Sequence, residues 1–157
     1  MKINAPKEIF NLPKLKLAVI GHVEWVTFLK VDHLPVAGQI SHAKNCFEEA
    51  AGGAAVAAVQ MARLINGPID LITSLGKDQY GEKCYERLTK LGLKLSVAWR
   101  EKPTRKGISL INKDGERAIT VIGERLQPLA SDNLPWDEMK NYDGVFITAT
   151  DSEGLRL

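Results

Sequence analysis

The sequence predicts an α/β fold in which a mostly parallel sheet, with helices packed on its faces, carries a small antiparallel flap. Two observations predict this architecture. Apolar segments alternate with helical segments along residues 16–92, which is typical of a parallel sheet. After them, segments 93–101 and 107–123 alternate apolar and polar residues around a turn at 112–115, which predicts a hairpin with one wet face.

The first part of the chain predicts strands and a loop. Residues 16–21 form a short apolar run that ends in glycine, which indicates a buried strand. We expect residues 23–31 to continue this strand after a break at Gly21–His22. Residues 33–40 contain proline and glycine and predict a loop, and the polar segment 41–50 predicts an edge strand.

Two helices and two further buried strands follow. The Ala-rich segment 54–65 predicts a helix that ends at the Asn-Gly-Pro sequence of 66–68. A buried strand is expected over 69–76 and a second helix over 77–92, whose apolar residues recur at helical spacing before Gly92. A short helix over 134–143 and a buried strand over 144–150 complete the pattern.

Composition limits the possible functions. Hydrophobic residues make up 45% of the 157 residues and charged residues 25%, as in ordinary globular domains. The 21 basic and 19 acidic residues nearly cancel, so we expect no nucleic-acid partner and no membrane partner. The sequence shows neither a signal peptide nor an apolar run of about 20 residues, so we expect a cytoplasmic protein.

The pair Gly52–Gly53, at the start of the Ala-rich helix, has two possible explanations. Small residues allow a helix to pack closely on a sheet, and a glycine relieves a tight entry turn. Alternatively, backbone N–H groups at a helix start, with no side chains in the way, bind the hydroxyl or phosphate groups of a ligand. The first predicted strand is followed by Gly-His-Val-Glu-Trp-Val and lacks a G-x-G-x-x-G pattern, which disfavours a dinucleotide site.

The order of these motifs resembles the N-terminal half of the ribokinase-like (PfkB) family of sugar and nucleoside kinases. The glycine pair begins a helix that ends near Ala-Arg-Leu, and a G-x-D-x-x-G segment follows with Gly76, Asp78 and Gly81. The resemblance covers residues 16–151. It implies a doubly wound, mostly parallel sheet with an antiparallel lid, here a single domain over 1–157 that is incomplete at its C-terminus, with lid strands within 39–50 and 93–123.

The resemblance also implies that the two halves of such kinases bind different ligands. The substrate lies between the sheet and the lid, whereas ATP and Mg²⁺ bind mostly on the C-terminal half, where a G-A-G-D segment supplies an anion hole and the catalytic Asp. The present sequence reaches Leu157 before any such segment. We therefore expect no catalytic residue and no metal ligand within it, and no phosphoryl transfer by this chain alone.

The predicted substrate-binding residues are Glu24, Gly52, Gly53 and Arg105. Family members commonly carry an Asp where this chain has Val26, and Glu24 lies on the same face of the strand, where it either replaces that Asp or is a solvated surface residue. Arg105 belongs to the basic segment 100–106, which is either a solvated loop or a source of a lid arginine that reaches a substrate anion. Isolated histidines show no metal-ligand spacing.

Two functions remain open at the level of sequence. The first is the substrate-binding half of an ATP-dependent kinase acting on a hydroxyl of a small molecule such as a sugar or nucleoside. The second is a non-catalytic ligand-binding or dimerisation domain derived from the same fold. A G-A-G-D segment encoded downstream would favour the first.

The flap also predicts an assembly. Open strand edges and an exposed apolar face favour pairing with another copy, and lids of ribokinase-like proteins often pair across a two-fold axis. We therefore expect a homodimer formed through a lid that consists of segments 39–50, 93–101 and 107–123. Candidate apolar contacts are Val97, Trp99, Ile108 and Leu110.

Overall fold

The computed structural model describes residues 15–156 and contains two four-stranded sheets, two α-helices and short 3-10 turns. The elements follow one another as β1 Leu17–Ile20, β2 Glu24–Val31, β3 Ala43–Ala51, α1 Gly53–Ile65, β4 Asp70–Gly76, α2 Gln79–Lys90, β5 Lys94–Arg100, β6 Lys106–Ile111, β7 Arg117–Ile122 and β8 Gly144–Ile147, with 3-10 turns at Trp136–Asn141 and Gly154–Arg156. The mixed α/β fold with a lid is confirmed.

The main sheet is parallel throughout, in the order β5-β4-β1-β8. Both helices pack on the same face of it, in one hydrophobic core with side chains of β1 and β4. The small side chains of Ala54, Ala55 and Ala58 are fully buried there, which explains why α1 is so rich in alanine. Alanines let the helix backbone lie close to the sheet and leave little void.

The opposite face of the main sheet is covered by the segment 124–142, held by polar contacts. Arg100 at the end of β5 forms a bidentate ion pair with Asp132, both contacts being 2.6 Å, and also donates to the Ser74 hydroxyl. Tyr142 donates its hydroxyl hydrogen to Asp70, 2.7 Å away. These bonds fasten the segment to β5 and to β4, the strand with the most complete burial. Among residues 15–156, no helix has both the length and the apolar composition needed to cross a bilayer.

The second sheet, called the lid sheet below, has the order β3-β2-β6-β7 and is mostly antiparallel. The edge position predicted for 41–50 is confirmed by β3. The prediction that 23–31 continues the first strand is wrong, because β2 belongs to the lid sheet. The chain leaves the main sheet at Gly21, whose Cβ, if present, would lie 1.9 Å from Thr148 Oγ1.

The assignment of 93–101 to the lid is also wrong. β5 pairs parallel with β4 along its whole length, so Val97 and Trp99 belong to the main sheet. Its apolar and polar residues alternate because one face packs on α2 and the strand lies at the edge of the sheet. On that face the ring centroids of Trp99 and Tyr85 are 6.0 Å apart. The lid hairpin is formed by β6 and β7 alone, with the predicted turn at Asn112–Gly115 between them.

The Asp78 carboxylate joins the main sheet to the lid. One oxygen, Oδ1, accepts the N–H groups of Tyr80 and Gly81 at the start of α2, at 3.1 and 2.8 Å. Oδ2 accepts the N–H group of Thr104, just before β6, at 2.8 Å. A Cβ on Gly76 would lie 2.5 Å from Thr104 N, so this close crossing requires glycine. The G-x-D-x-x-G segment therefore links β4, α2 and the entrance to β6.

We expect Asp78→Ala to lower the free energy of unfolding by about 2–4 kcal/mol, because it removes a helix cap and leaves the N–H group of Thr104 without its acceptor. Burial acts to raise the pKa of Asp78, but hydrogen bonds from Gly81, Thr104 and Tyr80 outweigh it and hold the pKa below its usual range, so the carboxylate is charged at neutral pH. Urea denaturation measures the change.

Asp114→Ala is the matched control for Asp78→Ala, because Asp114 is exposed in the β6–β7 turn. Its free energy of unfolding should change by less than about 0.5 kcal/mol. Equal losses in the two variants would contradict the linking role of Asp78.

Candidate functional site

The candidate site lies at the carboxyl-terminal edge of the main sheet, where the chain leaves β1 and enters the lid. His22 and Glu24 follow β1, the glycine pair begins α1, and Arg105 precedes β6. Register brings these segments together, since Glu24 lies opposite Ala51 and Trp25 lies opposite Lys106. Ligand sites of open α/β sheets occur at this edge of the strands.

Glu24 and Arg105, both predicted as substrate-binding residues, form a partly buried ion pair. Arg105 Nε lies 3.2 Å from Glu24 Oε2, and the two side chains are 16% and 15% exposed. The geometry is not that of a hydrogen bond, and within residues 15–156 neither of these two atoms has a hydrogen-bond partner. The prediction that Glu24 is a solvated surface residue is therefore wrong, and the pair retains unused hydrogen-bonding capacity.

The two glycines of the pair occupy different environments. Gly52 has φ 94° and ψ 161°, a conformation that only glycine adopts readily, and a Cβ there would lie 2.8 Å from the His22 carbonyl oxygen. Gly53 is exposed, and its Cβ would lie 3.4 Å from His22 Cε1 and from Thr148, which is ordinary contact. Gly52 is thus required by the backbone, whereas a side chain at Gly53 would contact His22 and Thr148 at the site.

His22 fills the place of a cap at the start of α1. Its carbonyl oxygen accepts the N–H group of Ala54 at 3.3 Å, and its Nε2 accepts that of Gly53 at 3.4 Å. Burial, together with the nearby positive charges of Arg125 and Arg105, lowers the pKa of His22 to about 4. The imidazole is therefore neutral at pH 7, with Nδ1 buried and unpartnered among the described residues.

The four predicted site residues thus meet in one place, and the structure adds three that the sequence did not single out: His22, Thr148 and Arg125. His22 follows the glycine that ends β1, a position that indicates closeness to the sheet edge, but its spacing from the other histidines does not indicate a site. Thr148 and Arg125 carry no local sequence signal, because only the fold brings them near Gly53 and His22.

The described residues do not form a metal centre. Between residues 15 and 156, no three His, Cys, Asp or Glu side chains cluster as metal ligands would. The free thiols differ in environment, since Cys46 is exposed on β3 and Cys84 is buried in the core. Burial raises the pKa of the Cys84 thiol to about 12, so it is not a nucleophile at neutral pH.

We expect the protein to lose stability as the pH falls from about 6.5 towards 4, and His22 to be the cause. The folded pKa lies below that of an unfolded histidine, so the unfolded state binds more protons in this interval and acid favours unfolding. Each unit of pKa is worth about 1.4 kcal/mol, and solvent screening of this partly buried ring reduces the effect to about 1 kcal/mol at pH 5. Thermal melts of wild type and His22→Gln between pH 7.5 and 5 measure it.

The matched control is His42→Gln, because His42 is exposed in the loop before β3. This variant should keep the wild-type pH dependence, whereas His22→Gln should flatten it. An unchanged slope in His22→Gln would show that other groups titrate.

Solved structures of ribokinases share this fold. Thermotoga maritima ribokinase is 26% identical with a TM-score of 0.58, over 69% of this chain and 36% of its own. Arabidopsis thaliana ribokinase, solved with ribose and ATP, is 22% identical with a TM-score of 0.64, over 85% and 45% of the two chains. Cryptococcus neoformans ribokinase, solved with ADP, is 22% identical with a TM-score of 0.58, over 71% and 34%. The chain thus spans less than half the length of each.

Sequence comparison identifies the family. No curated protein matches this chain in sequence. Residues 14–154, nearly the whole chain, match the model of the pfkB family carbohydrate kinases. The motif order, the main sheet with its lid and this match agree, and the chain belongs to the pfkB family of carbohydrate kinases.

Proposed function

We propose that this chain is the substrate-binding half of an ATP-dependent kinase that phosphorylates a hydroxyl group of a sugar or nucleoside-like small molecule. One observation carries the proposal. Glu24, Gly53 and Arg105 come from three separate segments and meet at the edge of the main sheet, beneath the base of the lid. The ribokinase from Arabidopsis thaliana, which shares the fold, was solved with ribose and ATP.

Each of these residues has a chemical role in the proposal. The Glu24 carboxylate accepts hydrogen bonds from substrate hydroxyls, and Arg105 donates to substrate oxygens. Gly53 leaves room for the substrate to approach the start of α1. The lid sheet covers the bound substrate and excludes water, which strengthens these polar interactions.

ATP with Mg²⁺ supplies the phosphoryl group in this proposal. The residues from 15 to 156 do not fit a site for the metal, since no three potential ligands cluster among them. We assign neither ATP nor Mg²⁺ to residues of this chain, and this chain's own part is to bind, orient and cover the substrate.

The alternative, a non-catalytic ligand-binding or dimerisation domain, is favoured by one observation. The lid sheet exposes apolar side chains, with Phe47 and Ile119 56% and 54% exposed, and a dimerisation domain would cover them. The two functions differ in what they require of a longer protein, since the kinase needs further residues for phosphoryl transfer and the binding domain does not.

We expect the 157-residue chain to bind at least one compound from a panel of pentoses, hexoses and nucleosides, and to transfer no phosphate from ATP to it. Gly53→Val should abolish this binding with little loss of thermal stability, because the added side chain projects into the site from an exposed position. Titration calorimetry, thermal melts and a phosphoryl-transfer assay measure the three properties.

Gly67→Val is the control, because Gly67 follows the other end of α1 and has room for a side chain. A Gly53→Val variant that melts earlier and still binds would show that the glycine serves packing alone. Turnover by the pure chain would contradict the expected inactivity, and absence of binding by every compound would overturn the proposed function.

The lid sheet supports a homodimer as a second part of the proposal. One face of it, the aromatic face, carries Phe28, Phe47, Ile119 and Val121 by strand register. The two phenylalanine rings stack with centroids 4.9 Å apart, and Phe47, Ile119 and Val121 are 56%, 54% and 44% exposed. Ile108 and Leu110, expected as contacts, lie on the opposite face, which is turned towards α2.

We expect light scattering at micromolar concentration to give twice the 17.3 kDa of one chain. Phe47→Asp should shift the protein to monomer, because it places a charge at the most exposed residue of the aromatic face. Val56→Asp is the control, since Val56 is 53% exposed on α1 and is not part of the aromatic face. A wild-type monomer that is unchanged on dilution would contradict the homodimer.

A further inference from the structure

The Glu24–Arg105 pair has no hydrogen bond between its members that would fix its geometry. Arg105 Nε lies 3.2 Å from Glu24 Oε2, and within residues 15–156 neither atom has a hydrogen-bond partner. The Arg100 guanidinium, by contrast, makes four hydrogen bonds, two of them to Asp132. The positions of Glu24 and Arg105 therefore depend on contacts made by their neighbours in the chain.

Each member of the pair is followed by a residue on the other face of the lid sheet. Successive side chains of a strand point to opposite faces, so Trp25, after Glu24, and Lys106, after Arg105, lie on the face towards α2. Trp25 and Lys106 are register partners, and the Trp25 N–H group donates to the Arg105 carbonyl oxygen at 3.1 Å. These four residues form one unit, and contacts that fix one face orient the other.

Two lysines and two aromatic rings join this unit to α2. Lys106 of the lid lies over Tyr80 of α2, with Nζ 4.8 Å from the ring centroid. In the reverse direction, Lys83 of α2 lies over Trp25 of the lid at 5.4 Å, and its ammonium is 3.8 Å from the Glu48 carboxylate. An ammonium within about 6 Å of a ring centroid is attracted by the ring. Trp25, Tyr80, Lys83 and Lys106 are called the lysine–aromatic cluster below.

The cluster holds the lid by charge more than by apolar packing. Lys106 does not take part in the lysine ion pairs of residues 15–156, and its ammonium lies over the ring of Tyr80 instead. A cavity of about 100 Å³ is lined by Trp25, Tyr80 and Lys106 together with other lid residues. Close apolar packing leaves few spaces of this size, whereas a cation over a ring does not need such close packing.

We propose that the lysine–aromatic cluster positions the Glu24–Arg105 pair for substrate binding from the opposite face of the lid sheet. Tyr80 and Lys83 are then positioning residues, which act through the lid and touch no substrate. This role rests on the proposed function, because it concerns the same site, and it adds two residues of α2 to the groups on which that site depends.

The test removes the cation or the ring while it keeps a side chain of similar size. Titration calorimetry on the 157-residue chain uses D-ribose, D-glucose and adenosine, and the one that binds wild type most tightly becomes the probe. We expect Tyr80→Leu, Lys83→Met and Lys106→Met each to weaken its binding about fivefold, because each removes a cation–ring contact. Tyr80→Phe, Lys83→Arg and Lys106→Arg keep the contact and should bind as wild type does.

Urea denaturation gives a second readout that needs no ligand. If the ring of Tyr80 and the ammonium of Lys106 act as a pair, the double variant Tyr80→Leu/Lys106→Met should lower the urea midpoint by less than the sum of the two single variants. Lys106→Met keeps the test valid where Tyr80→Leu does not fold, because its binding is compared directly with that of Lys106→Arg.

Tyr85→Leu and Lys90→Met are the matched controls on the same helix. The Tyr85 ring packs against Trp99 of β5, with centroids 6.0 Å apart, and Lys90 pairs with Glu86 of α2. Both variants should bind the probe as wild type does, whatever they do to the urea midpoint.

Different failures have different meanings. Wild-type affinity in Tyr80→Leu and Lys106→Met, equal weakening by Tyr85→Leu, or additive urea shifts would each overturn the positioning role and leave the proposed sugar site standing. Equal weakening by Tyr80→Phe and Tyr80→Leu would do the same, because the ring would then not be the group that matters. Absence of binding by every compound, with wild type included, would overturn the proposed function and the positioning role with it.

Discussion

The geometry of the site depends on the carboxylate of Asp78. It receives three backbone N–H groups from two directions, two from the start of α2 and one from Thr104. A surface ion pair could not fix this crossing, because exposed pairs contribute little and allow the chains to move. The three donors are backbone N–H groups, so they lose no side-chain rotamer freedom when they bind the charged carboxylate. The crossing fixes where β6 begins, and so where Arg105 lies.

The position of Arg105 then determines how β2 pairs with β6 in the lid sheet. Because Thr104 is fixed, Arg105 is delivered beside the first residue of β2, and its carbonyl oxygen accepts the N–H group of Trp25 at 3.1 Å. The chain therefore passes from β1 into the lid, where β2 pairs with β6 at a defined register. The main sheet and the lid sheet share no strand. Their relative position therefore depends on the contacts that lead from Asp78 to Glu24 and on the direct passage from β3 into α1.

Sequence reasoning succeeded where a local pattern has one structural outcome and failed where two folds share a pattern. The glycine pair, the Ala-rich helix and the G-x-D-x-x-G segment each demand a particular backbone, so their positions were predictable. The residues 93–101 alternate in the same way whether they form a lid strand or the edge of a parallel sheet, and only pairing with β4 decides. Glu24 and Arg105 were predicted from the family resemblance, but their contact is a tertiary fact, as is the closeness of His22 to Gly53.

The two arginine–carboxylate pairs of this part of the chain, Arg100–Asp132 and Arg105–Glu24, differ in how completely they are hydrogen-bonded. Arg100 and Asp132 satisfy each other fully, and the bonds of Asp132 extend to the N–H group of Leu129 at 2.7 Å. A ligand would gain little free energy by binding to this pair, because it would have to replace hydrogen bonds that are already made. Glu24 and Arg105 pay the desolvation of burial without the full set of bonds that would offset it. A ligand that supplied the missing donors and acceptors would regain that energy on binding, which supports the proposed role of this pair in binding the substrate.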